Sequence, residues 1–113
     1  MVGKSPSESG DPDDLTLRQL ENAGADLRKE TEMLFFLYFP TEGHARSAAN
    51  VARREGFDAR VMAPPPGFTE WNTRLTRRMV PTRPTIKAMR ARLEELAASL
   101  GGDFDGWEAA VTK

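Results

Sequence analysis

The chain offers little for nucleophilic or metal chemistry. It has one histidine, His44, and no cysteine. A zinc set or a cysteine nucleophile therefore has no partners to draw on, and His44, just after Thr41, reads as a solvent-facing or capping residue. Asp11, Asp13 and Asp14 suggest calcium, but a loop starting at Asp11 would need Gly sixth and Glu twelfth, where Thr16 and Asn22 stand. They read as tail and helix-cap acids. Gly3-Lys4-Ser5 mimics the end of a phosphate loop without the strand and first glycine it needs. Asp103 and Asp105 could pair as acid and base, yet no third group supports them. No catalytic residue, metal or cofactor is expected.

Aromatic and cationic residues are more informative. Phe36 and Tyr38 alternate in one strand-like run, and Arg74 and Arg78 in another. If the two strands are neighbours, aromatics lie beside arginines on one sheet face. That is how RNA-recognition domains stack bases, although the aromatic-glycine octamer of those domains is absent. The same surface suits a protein partner. Trp71 and Trp107 fall in core alternation and are expected to be buried against helices.

Thr31 to Pro40, TEMLFFLYFP, must position the aromatics. Met33, Phe35, Leu37 and Phe39 point one way, Leu34, Phe36 and Tyr38 the other, as in a central strand. Thr41 caps the next helix, whose Ala45, Ala48, Ala49 and Ala52 allow close packing, and Gly56 stops it. Phe57 to Met62 reads as a short edge strand, and Ala63 to Gly67, with three prolines, as an extended, exposed loop. Trp71 to Val80 is the next strand. Thr82 and Pro84 open a helix with Ile86, Met89, Leu93, Leu96 and Leu100 at helical spacing, its outer side carrying Lys87, Arg90 and Glu94 as solvated surface. Gly101 and Gly102 end it.

Residues 103–111 then form the last strand. Phe104 is out of phase with Trp107, Ala109 and Val111 unless Gly106 sits in a β-bulge. At the other end, a helix from Asp13 or Asp14 to about Leu27 carries Leu17, Leu20 and Leu27 on a narrow stripe. It is expected to fold over the Phe36–Tyr38 face, leaving Phe36, Tyr38, Arg74 and Arg78 at a rim between sheet and helix. The order predicts an α+β, ferredoxin-like βαββαβ sandwich: a four-stranded antiparallel sheet, two helices on one face, plus the N-terminal helix.

Composition sets the outer bounds. The 113 residues fit one domain, read here as 13–113, behind a Ser/Gly/Pro-rich stretch, 1–12, expected to be a disordered tail. The net charge of −1 gives no global attraction to nucleic acid or membrane. Within it, residues 70–92 hold seven Lys/Arg against Glu70 alone, so a local basic patch is expected. No apolar run approaches the ~20 residues of a membrane span, and the N-terminus has no secretory h-region.

Two motifs, LYFPTEGHARSAANVARREGF (Leu37–Phe57) and GGDFDGWEAAV (Gly101–Val111), resemble the regulator of ribonuclease E activity B family, also called ribonuclease E inhibitor B. ENAGADLRKETE and TRRMVPTRPTI fit it too, and the resemblance runs from about Leu15 to Val111. It implies a ferredoxin-like fold with an extra N-terminal helix. It also implies a bacterial cytoplasmic protein, not an enzyme, that binds ribonuclease E and slows RNA turnover. Thr41, Gly106 and Trp107 belong to the matching motifs. Two other readings stand beside it: an RNA-binding module using the open sheet face, and a small-molecule sensor domain, since this fold hosts many functions.

Overall fold

A strand with apolar residues on both faces reads as a central one, and Thr31–Phe39 (β1) has a neighbour on each edge. In the computed structural model, which describes residues 12–113, the order is α1 (Pro12–Asn22), β1, α2 (Glu42–Arg54), β2 (Asp58–Met62), β3 (Trp71–Met79), α3 (Arg83–Ser99) and β4 (Asp103–Ala109). The sheet runs β2-β3-β1-β4 with every neighbouring pair antiparallel, the ferredoxin-like arrangement preceded by a helix. The tail expected over 1–12 lies, up to residue 11, outside the described residues; Pro12 already belongs to α1.

Met33, Phe35, Leu37 and Phe39 are fully buried on the side facing α2 and α3. Alanines 45, 48, 49 and 52 bring α2 down onto the sheet. Thr73, buried in β3, donates its hydroxyl to the Ala45 carbonyl at 2.8 Å, which ties strand to helix without leaving a polar group unpaired. The three helices among the described residues end in the same way. The residue after the glycine donates to the carbonyl five back: Ala25 to Leu20, Phe57 to Ala52, Gly102 to Ala97. Each of these Schellman motifs needs a left-handed residue, supplied by Gly24, Gly56 and Gly101.

That geometry corrects the first helix. It stops at Asn22 rather than near Leu27, because Gly24 terminates it. The helix also lies elsewhere than expected. Leu17 and Leu20 join the same core as Ile86, Phe35 and Trp107, so α1 packs on the helix-covered side beside the start of α3. Among the described residues no helix covers the other face, where Leu34, Phe36 and Tyr38 are half-buried.

β4 is bulged. Its pairing with β1 runs Phe35↔Trp107, Phe36↔Gly106, then Leu37↔Phe104, so Asp105 is the extra residue. Gly106 has φ +121°, closed to most side chains, and the slip puts Phe104 and Trp107 on the same face.

Candidate interaction face

The open face is built from alternate residues of four strands, and the register puts them in rows. Arg60 of β2 lies opposite Arg74 of β3, Arg74 opposite Phe36 of β1, and Phe36 opposite Gly106 of β4. The next row is Met62, Asn72, Tyr38 and Asp103. The Arg74 guanidinium carbon sits 5.5 Å from the Phe36 ring centroid, a cation–π contact. Gly106, opposite Phe36, presents no side chain to it.

Of the four residues singled out in the sequence, Phe36 and Arg74 touch and Tyr38 is one row away. Arg78 stands apart at the far end of β3, opposite Glu32. Arg78 is exposed, but Arg74 is only half-exposed, and its Nε is buried with no hydrogen-bond partner among the described residues. Among the described residues the sheet meets the N-terminal helix at β4, where Pro12, Thr16, Phe36 and Gly106 line a cleft of about 280 Å³. Tyr38, Arg74 and Arg78 are not part of it.

Arg60 is a member of the face that the sequence pattern did not pick out. Its cue was weak: a five-residue edge strand whose register with β3 no local pattern fixes. Two like charges directly opposite on neighbouring strands destabilise a sheet. Among the described residues none of Arg60, Arg74 and Arg78 forms an ion pair, whereas five other arginines do. The face also carries carboxylates, Glu32, Asp58 and Glu108, so it is mixed rather than uniformly basic.

The remaining expected residues hold the scaffold. Thr41 is the N-cap of α2: its hydroxyl accepts from the His44 N–H at 3.2 Å and lies 3.0 Å from the ring Nδ1. Exposed His44 therefore completes a cap. Trp107 is 7% exposed, and its Nε1–H donates to the Asp13 carboxylate at 2.7 Å. Trp71 is half-buried against the core rather than fully covered.

Asp13 is thus more than a helix-cap acid. It also accepts two bonds from Arg90, at 2.7 and 2.9 Å, while Arg90 lies over the Phe104 ring. Arg90, expected on a solvated surface, is instead the clamp between α1, α3 and β4. Burial pushes the Asp13 carboxyl up, but the bonds from Arg90 and Trp107 outweigh it and hold the group below its ordinary value. Asp14 pairs with Arg83 at the start of α3. Among the described residues no group of three or more His, Cys, Asp or Glu could hold a metal ion. No helix among them is long and apolar enough to cross a membrane.

Residues 11–109 match the family model described as Regulator of ribonuclease activity B. The match spans nearly the whole chain, and the protein belongs to that family. No curated protein matches it.

Proposed function

We propose, with that membership as premise, that this chain is a non-catalytic bacterial regulator that acts in the cytoplasm. It binds a ribonuclease E-type endoribonuclease and lowers its activity, docking through the open sheet face. The observation that carries the choice of surface is the row Arg60–Arg74–Phe36. It combines an aromatic ring, a stacked guanidinium and a second unpaired arginine on a face no described helix covers. Arginine and aromatic anchors on a partly apolar patch are the common composition of protein-binding hot spots. Carboxylates on the partner would relieve the Arg60–Arg74 repulsion.

Base stacking on the same face is the second reading, and the Phe36–Arg74 contact is what favours it. Glu32, Asp58 and Glu108 oppose it, because a phosphate backbone crossing the face meets them.

Calorimetry against a ribonuclease E-type protein tests the first reading. Arg60 and Arg78 are both exposed, so the double variant Arg60→Glu with Arg78→Glu should fold normally and bind about tenfold more weakly or worse, with a slower on-rate. RNA cleavage by the ribonuclease should then escape inhibition in parallel. Unchanged affinity of the folded double variant would remove this face. Binding to RNA alone that collapses with salt would favour the second reading.

A further inference from the structure

β2 and β3 are joined by a loop that was expected to be extended and exposed, and it is not simply that. The Phe68 N–H donates to the Pro65 carbonyl at 3.0 Å, with Gly67 at φ +87°. Pro66 then Gly67 at the two central positions is the type II β-turn pattern. A proline-fixed turn loses little entropy on binding. This one holds Phe68 outward, 71% exposed, far above Met62 at 38%.

Phe68 is one wall of an open cleft of about 930 Å³ at the end of the sheet face. Tyr38, Pro40, Met62, Ala63 and Pro65 supply the other apolar surface. The charged side chains lining it are Glu70 and Asp105, and both are carboxylates. Neither has a hydrogen-bond or ion-pair partner among the described residues. Asp105 reaches the cleft because it is the extra residue of the β4 bulge. An apolar cleft with two aromatic rings and two unpaired carboxylates suits one kind of side chain: a long apolar stem ending in a cation. Such a stem would lie along Phe68 and Met62, with the head at the Tyr38 ring and within the field of the two acids. A planar guanidinium stacks and forks better than an ammonium. Phosphates and acidic peptides are repelled by the same pair.

We infer that this cleft docks a basic residue, arginine in preference to lysine, on an extended apolar segment of a protein partner. The inference rests on the docking face proposed above for the partner's identity, but the chemistry of the cleft stands apart from it. It also gives the face a polarity: a segment lying across it carries its base at the Tyr38 end and its acid towards Arg74 and Arg60.

The probes are three peptides, acetyl-Gly-Ser-Leu-X-Leu-Ser-Gly-amide, with X as Arg, Lys or Glu. They are titrated into the ¹⁵N-labelled full chain and followed by amide chemical shifts. The Arg peptide should produce saturable shifts at Phe68, Glu70, Asn72 and Asp105, the Lys peptide weaker ones, and the Glu peptide none there. Glu70→Gln with Asp105→Asn, both exposed positions, should weaken the Arg peptide about five- to tenfold, and more so at low salt. Glu70→Gln alone, on the loop, gives the same direction without touching the bulge. Equal binding of the Arg and Glu peptides would overturn the inference. So would undiminished binding in Glu70→Gln, or no saturable shift with any peptide. Since the titration contains no ribonuclease, its failure leaves the ribonuclease reading standing. Failure of the calorimetry above would likewise leave the cleft's preference intact.

Discussion

The two glycines that close α3 are adjacent, yet they should fail for different reasons and by different amounts. Gly101 has φ +76° with open space around it, so Gly101→Ala is opposed by backbone strain alone, about 1 kcal/mol. Gly102 has no unusual φ, but a Cβ there would lie 2.7 Å from Phe39 Cε1 and closer still to Phe39 Cδ1 and the Tyr38 carbonyl oxygen. Ordinary contact begins near 3.4 Å. None of these atoms can retreat cheaply. The carbonyl belongs to central β1, and the Phe39 ring is fully buried. Overpacking typically costs about 1–3 kcal/mol, and a backbone obstacle puts Gly102→Ala at the upper end, near 3 kcal/mol. At about 4 °C per kcal/mol for a domain of this size, the melting temperature should fall by roughly 12 °C for Gly102→Ala and roughly 4 °C for Gly101→Ala. Urea unfolding should show the same order with an unchanged slope, which separates lost stability from a changed denatured state. If Gly101→Ala proved the more damaging, or if Gly102→Ala melted with the parent, the close approach of α3's end to β1 would not be what fixes that residue.

Gly106→Val strains a left-handed backbone inside the bulge and pulls Phe104 out of line with Trp107; a loss of about 1–3 kcal/mol in urea is expected, and a melt matching the parent would refute the bulge's role. The Asp13 carboxyl is held below its ordinary value in the folded protein, so the stability it contributes is complete above the ordinary carboxylate range and is lost as pH falls through the lowered value. Asp13→Asn should therefore flatten the acid limb of a stability–pH curve; an identical acid limb would mean that other carboxylates carry it. Arg60→Thr removes one of two facing cations and places a β-branched residue on an edge strand. The free protein should gain about 0.5 kcal/mol at low salt, less at high salt, while affinity for the ribonuclease falls.

The sheet was readable because its evidence is local. Nine residues of β1, apolar on both faces, mark a central strand, glycines mark three helix ends, and the phase error between Phe104 and Trp107 points to one inserted residue. The placement of α1 was not readable. Three leucines and a glycine say that a helix needs cover, but not on which side of a sheet. That choice is made by Asp13 reaching Arg90 and Trp107, 77 and 94 residues away along the chain. The same gap hid Arg90, since a charged residue on the outer stripe of a helix looks solvated until another helix arrives beside it. The turn at Pro66-Gly67 is different. Its signal, proline followed by glycine, was present in the sequence and outweighed by the run of prolines before it.

The open face illustrates what alternation can and cannot specify. Period two correctly groups Phe36, Tyr38, Arg74 and Arg78 on one side of the sheet. It does not say that Arg60 faces Arg74, which depends on the register of an edge strand, nor that Arg74 lies down on Phe36 and loses part of its hydration. Those two facts change the meaning of the face. A scatter of exposed arginines would be an ordinary solvated surface, worth little in stability or binding. Two facing arginines, one of them stacked and partly desolvated, are a local disadvantage to the free protein that a carboxylate-bearing partner would reverse. Glu70 and Asp105 lie at the Tyr38 end of the same face, while Glu32, Asp58 and Glu108 flank the arginines, so the face is mixed overall and purely acidic only at that end. On the proposed docking, a segment with its acid at Arg60 and Arg74 and its base at the Tyr38 end would meet complementary charge at both; reversed, it would set acid against Glu70 and Asp105.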